Sequence, residues 1–367
     1  MESSALVYVG LTVATVFLAC YIQSFRCVRV GSRAHARSLT AEFAVFCLLA
    51  GVSACRIAVG NDYWVYRFNF RLIAQERHVS SEFGFNLIVK WMQQLFGYDN
   101  YLPIFALFSL LTVWFFVRAL HGQAVDYALS LFLLMTGGYY FNSLNTVRYY
   151  LALAIALYSM MYVLRGEYGK FILWILFGSI FHKSILLVIP VYLAAHLLAK
   201  VRLKKWHYAV GALFLASLIF CQDFYRELAF TFYPYYRNSA FDTGNISWVN
   251  IGKCVGTLAL CAVCYKRSLR EGENNYNKRF YFFLNVAGLV VYPCGSFIPE
   301  VSRVGYYMII SQVLLIPALL QEMPEGWFRR LCRVGVILAF CVYFLFLLRG
   351  MYSTDIRLLP YLNWIFN

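Results

Sequence analysis

The chain has 367 residues, of which 62% are hydrophobic and only 13% charged, well below the roughly 25% charged residues of a soluble domain. That balance excludes a soluble enzyme and points to a polytopic membrane protein; without alternating apolar and polar segments, it is one built from helices and not a barrel. The net charge of +15 would suit nucleic acid in a soluble protein, but here the basic residues fall in short segments between apolar runs, where they act as topology signals.

The opening run, MESSALVYVGLTVATVFLACYIQSF, has no basic residue before it, and Arg26, Arg29, Arg33 and Arg37 follow it. A retained first helix is therefore expected, with its N-terminus outside and the arginine loop in the cytoplasm. A second helix over about 41–59 exits to an outer-face amphipathic segment, residues 60–100. There Trp64, Phe68, Leu72, Phe85, Leu87, Ile88 and Trp91 alternate with Arg67, Arg71, Arg77 and Lys90, a pattern that predicts short helices lying in the outer interface. Helices over about 102–120 and 127–140 return and exit again, and a fifth begins near Asn145 and ends at Arg165. Basic flanks on both sides of 170–200 require an even number of crossings, which predicts a hairpin of two short helices with His182 near its outer turn. Helices over 206–222, 248–265, 280–296, 304–320 and 334–348 complete twelve crossings with both ends outside, and residues 223–247 form an outer-face aromatic loop. The whole of 1–367 reads as one all-α integral membrane domain.

Against that topology, basic residues stand on the outer side or just inside its boundary, where loops normally avoid them. They are Arg56, Arg67, Arg71, Arg77, Lys90, Arg148, Lys183, Arg226, Arg237, Lys253, Arg303, Arg349 and Arg357. Most are arginine, the residue suited to bidentate phosphate recognition. Arg148 lies about one turn inside an apolar helix that opens with Asn142 and Asn145, and a His-Lys-Ser triplet, His182 to Ser184, ends the next apolar run. An ionisable group within a membrane helix costs about 2.5–3.5 kcal/mol and marks a functional site; the plainer reading is a side chain snorkelling to headgroups.

Outer arginines among many aromatics suit a ligand that is both anionic and carbohydrate-like. Outer segments hold no DxD and no adjacent acidic pair, so neither a divalent metal nor another cofactor is expected, and fixed cations would stabilise a leaving diphosphate instead. Cys261 and Cys264 have CxxC spacing within an apolar run but no second pair, and carry no metal expectation. A base for a sugar hydroxyl is sought among Asp62, Glu82, Glu300 and His182. Asp62 reads equally as a cap of the following helix, and His182 as a satisfied histidine in a helix hairpin.

NDYWVY (61–66), SEFGFNLI (81–88), the stretch from Asn145 to Leu187, VSRVGYYMIISQVLLIP (301–317) and LLPYLNW (358–364), taken in that order, resemble the EpsG-like branch of the Wzy polysaccharide polymerases. The likeness runs over most of the chain; such sequences often read Arg-Gln where this one has Arg148-Tyr149. The resemblance implies a GT-C-like, inverting, metal-independent glycosyltransferase of the bacterial cytoplasmic membrane with its active site on the periplasmic face. Such an enzyme moves a growing glycan from undecaprenyl diphosphate to a lipid-linked repeat unit, alongside a chain-length regulator and a flippase. Carried onto this sequence, Arg148 and Arg303 face the diphosphate, with Arg67 or Arg71 assisting. His182 sits near the leaving group or acceptor, and Asp62 or Glu82 orients the acceptor hydroxyl. Asn145 and Lys183 are expected to contact the substrate, and Tyr66, Tyr306 and Tyr307 to line its pocket. The rival readings are a lipid-linked oligosaccharide flippase, an O-antigen ligase-like transferase and a membrane acyltransferase.

Overall fold

Long apolar runs almost free of helix breakers satisfy their backbone groups internally as helices, and helices dominate the computed structural model. It describes residues 2–26, 32–232, 234, 237, 246–264, 269, 275–297, 300–353 and 356–365. In chain order the helices are α1 (Glu2–Arg26), α2 (Ser32–Ala54), α3 (Asp62–Ala74), α4 (Phe83–Phe96), α5 (Leu102–Gln123) and α6 (Tyr127–Thr136). Next come α7 (Tyr139–Asn142), α8 (Val147–Leu164), α9 (Tyr168–Ser179), a 3-10 turn (Lys183–Leu187), α10 (Val188–Lys200), α11 (Lys205–Phe220) and α12 (Gln222–Phe232). The last are α13 (Trp248–Cys264), α14 (Tyr276–Cys294), α15 (Val301–Ile309), α16 (Gln312–Glu322) and α17 (Trp327–Gly350). Among the described residues the only β pairing is an isolated bridge between Arg56 and Asn363.

The chain is a multi-pass, all-α membrane protein. Seven helical spans among the described residues are long and apolar enough to cross a bilayer, or eight if α11 and α12, bent by 78° at their junction, count as one. About twelve crossings are expected from the sequence, and three shorter apolar helices, α6, α9 and α13, stand beside these spans. Helices α6 and α9, with 10 and 12 residues, are about 15–18 Å long at 1.5 Å per residue, well short of a hydrocarbon core of about 30 Å. The expected fourth helix is divided between α6 and α7 at Gly137 and Gly138. The expected pair within 170–200 appears as α9 and a candidate span Lys183–Lys200, broken around His182. The last helix begins at Trp327 instead of 334, so that Arg329, Arg330 and Arg333 lie in its first turns. Much of the aromatic loop, residues 233, 235–236 and 238–245, lies outside the described residues.

The chain divides into two compact units: Met1–Tyr162, Glu167–Leu186 and Pro324–Asn367 form the first, Val163–Gly166 and Leu187–Met323 the second. In the first, α1 packs on α2 and α6, α2 on α5, and α4 on α3 and α5. The amphipathic segment is indeed two short helices. They bury Tyr63, Tyr66, Phe70, Phe85 and Val89 and leave Trp64, Phe68, Phe83, Leu87 and Trp91 exposed. Asp126 caps α6 by accepting from Leu129 N–H at 3.0 Å and also accepts from Arg333 Nη2 of α17 at 2.8 Å. The C-terminal segment returns along the end of α2. Ile57, Gly60 and Asn61 donate their N–H groups to Leu362, Arg357 and Ile356 carbonyls at 3.0, 2.8 and 3.0 Å, and the buried Tyr8 hydroxyl donates to Leu358 O at 2.8 Å.

In the second unit α14 is the central helix, packed by α10, α11, α13, α15 and α16. Its buried Asn285 accepts from Gln312 Nε2 at 2.7 Å and donates to Cys254 O at 3.2 Å, a satisfied polar chain in an apolar interior.

Candidate functional site at the mouth of α8

Helix α8 is the enclosed element, with 83% of its span buried, and the polar residues gather where it starts. It begins at Val147, close to the expected start near Asn145. Arg148 therefore lies in the first turn at the helix mouth, which lowers the desolvation its charge must bear.

Two glycines bring the acidic residues there. Gly60 has φ +90°, and a Cβ on it would stand 2.8 Å from Asn145 Oδ1 and 2.9 Å from Asn145 Cα. Only a glycine lets the turn before α3 adopt this backbone and lie against the residues leading into α8. In consequence Asp62 N–H donates to Asn145 Oδ1 at 2.9 Å, and Asp62 Oδ2 accepts from Thr146 Oγ1 at 2.9 Å. Gly84 does the same for α4: its N–H donates to Ile180 O at 3.1 Å, and a Cβ there would meet Ile180 Cβ and O at 2.9 Å.

That contact sets Glu82, the residue before α4, between two elements. Its side chain makes no cap for its own helix. Glu82 Oε2 instead pairs with Arg148 Nη1, while Oε1 accepts from Lys183 N–H at 3.2 Å. The Arg148 guanidinium lies over the rings of Phe85 and Tyr66, 5.2 and 5.9 Å from their centroids, an arrangement that favours a cation. Arg148 N–H donates to the Tyr66 hydroxyl at 3.4 Å. Tyr66 lies outside the candidate spans; burial pushes its phenol up, against the opposing pull of Arg148, so it stays a neutral hydroxyl.

His182 follows the end of α9. Its Nδ1 is 2.7 Å from Ser184 Oγ, and its ring packs edge-on against Tyr149 with centroids 5.5 Å apart. Tyr149 thus occupies the space beside the histidine.

Two sets of contacts meet at this mouth, Asp62 with Asn145 and Thr146, and Arg148 with Tyr66 and with Glu82, which also holds the Lys183 N–H; His182 adjoins Lys183 in the chain. Asn145 Oδ1, expected to contact substrate, is engaged by the Asp62 backbone. Arg67 and Arg71 share the other side of α3 with Tyr101: Arg67 lies 5.1 Å from its ring centroid, and Arg71 Nε donates to its hydroxyl at 3.2 Å. Arg56 is fully buried and structural, donating to Ser109 Oγ at 2.8 Å. Arg303, Tyr306 and Tyr307 belong to the second unit. There Arg303 Nε is 3.1 Å from Glu300 Oε2, and Tyr307 is buried with its carbonyl accepting from Tyr192 OH at 2.6 Å.

Sequence reading passed over Thr146. An Asn-Thr pair before an apolar helix signals a cap for that helix, and nothing local indicates that the hydroxyl turns to Asp62 instead. Gly60 and Gly84 were visible as residues, but their role lies in contacts with chain about 85 and 96 residues away.

The mouth of α8 thus holds a cation, two separately held carboxylates, a neutral phenol and an imidazole. This defines a polytopic helical membrane protein with a charged site at the start of a buried helix. The family model described as EpsG family matches residues 41–363, an interval that contains all these residues, and the chain belongs to that family. Membership implies a polysaccharide-polymerase-like role in polysaccharide biosynthesis at a membrane. No protein of curated function and no solved structure matches the chain.

Proposed function

We propose that the protein is an inverting polysaccharide polymerase of the GT-C type that moves a growing glycan from undecaprenyl diphosphate onto a lipid-linked repeat unit. The observation that carries this reading is that one helix start holds both Arg148, paired with Glu82, and Asp62, held separately by Thr146, in a chain of the EpsG family. In the reaction an acceptor hydroxyl attacks the anomeric carbon and its proton passes to Asp62. The bond from that carbon to the diphosphate oxygen breaks, and the electron pair leaves on the diphosphate. Arg148 supplies the positive charge that stabilises this leaving group, the part a metal plays elsewhere. Thr146, donating to Asp62 Oδ2, leaves Oδ1 to face the hydroxyl. His182, held at Ser184, stands near the leaving group.

The enzyme sits in the bacterial cytoplasmic membrane with this mouth on the periplasmic face, beside a chain-length regulator and a flippase that delivers the lipid-linked units. Detergent-purified protein, given a lipid-linked repeat unit with chelator present, is expected to yield a ladder of longer lipid-linked glycans. Absence of a ladder, with movement of the same lipid across liposome bilayers, would make the protein a flippase.

A further inference from the structure

Glu82 bridges donors from two different elements: the Arg148 guanidinium on α8 and the backbone N–H of Lys183 after α9. A guanidinium and a backbone N–H converging on a pair of oxygens is a donor set that phosphate also takes. Phe85 and Tyr66 wall it on the guanidinium side, and the Glu82 side chain is only 10% exposed. The backbone at this point is pinned, because Gly84 sits against Ile180 with no room for a Cβ. Glu82 therefore leaves its partners by rotating its side chain, with α4 staying in place.

Resting on the polymerase reading, we propose that the position between Arg148 Nη1 and the Lys183 N–H is the oxyanion subsite for the donor's diphosphate. The Glu82 carboxylate is its resident occupant, displaced when the donor binds. A diphosphate brings more charge and more acceptor oxygens than a carboxylate, so the exchange runs forward when donor is present. When the by-product diphosphate departs, Glu82 returns, and the partly buried guanidinium is never left without an anion. The two carboxylates of the mouth then have separate duties. Glu82 is the counter-ion, and Asp62, held by Thr146, takes the proton.

The test is binding of undecaprenyl diphosphate to the full-length protein in detergent, for the unmodified chain, Glu82→Gln, Glu82→Ala and Arg148→Ala, with phosphatidylglycerol offered in parallel. Removing the competing carboxylate is expected to tighten diphosphate binding at least about tenfold and to leave phosphatidylglycerol binding unchanged, while Arg148→Ala weakens the diphosphate. Unchanged or weaker binding in the Glu82 variants, with Arg148→Ala still impaired, overturns the displacement and leaves the diphosphate role of Arg148 standing. Undiminished binding by Arg148→Ala removes that role and the displacement with it. Equal tightening for phosphatidylglycerol overturns the assignment to a diphosphate. The glutamine variant keeps an acceptor for the Lys183 N–H, so it provides the reading if the alanine variant misfolds.

Discussion

Arg148 has its guanidinium clamped between a carboxylate and two rings, and what distinguishes it from a lysine is the planar fork, not the charge. Arg148→Lys is expected to lower polymer formation about 10- to 100-fold, the worth of a charge-assisted hydrogen bond; near-normal product length and yield would remove arginine from the leaving-group role. Thr146 acts one step back, through its bond to Asp62. Thr146→Val keeps the volume and deletes the donor, so turnover should fall about tenfold with KM little altered, and Thr146→Ser should restore most of it. A purely structural role for Thr146 would instead show as lost thermal stability, with no recovery through the hydroxyl. The charged members of this site were legible in the sequence because each is a costly residue beside a membrane helix. The hydroxyl that holds Asp62 was not, since threonine before a helix has a local use that hides a distant one.

At the scale of elements, α3, α4 and α8 form a site only because their ends approach closely. At Gly84 the atoms in the way include the backbone oxygen of Ile180, which cannot swing aside as a flexible side chain would. Gly84→Ala should therefore cost about 1–3 kcal/mol, read as a lower thermal midpoint in detergent, with activity falling alongside. Gly169→Ala, where a Cβ meets nothing within 4 Å, is the control that should change neither. The C-terminal segment is a second brace, since Gly60 and Asn61, just before Asp62, donate to its carbonyls. Tyr8→Phe removes the buried donor to Leu358 O and should lower stability by about 1–2 kcal/mol, measured in the same way. Helix existence was readable from apolar runs, and the two short helices of 60–100 from their aromatic and basic alternation. Boundaries were less so. Divisions such as α6 from α7 and α15 from α16 fall inside apolar stretches whose hydropathy does not mark them.

For the whole molecule, the polymerase reading fixes a sidedness that labelling can check. With native cysteines replaced, Gln75→Cys should react with an impermeant maleimide in intact cells, and Arg202→Cys only after permeabilisation. The reverse pattern would place the mouth of α8 on the cytoplasmic side and sink the periplasmic reaction. By itself the sequence determined that this is a helical, polytopic membrane protein, because burying so many apolar residues in lipid obliges the backbone to bond within its own segments. It also exposed Arg148, Asp62, Glu82 and His182 as the ionisable residues that need explaining, along with the ordered motifs of the EpsG family. The tertiary structure alone decided how many apolar runs are long enough to span, the division into two units, and the pairing of Asp62 with Thr146 and of Glu82 with Arg148 and Lys183. Those pairings join residues about 65 to 100 positions apart. Hydropathy and spacing report only on a residue's neighbours along the chain, whereas a partly buried charge finds its partner in whichever element packing brings across from it.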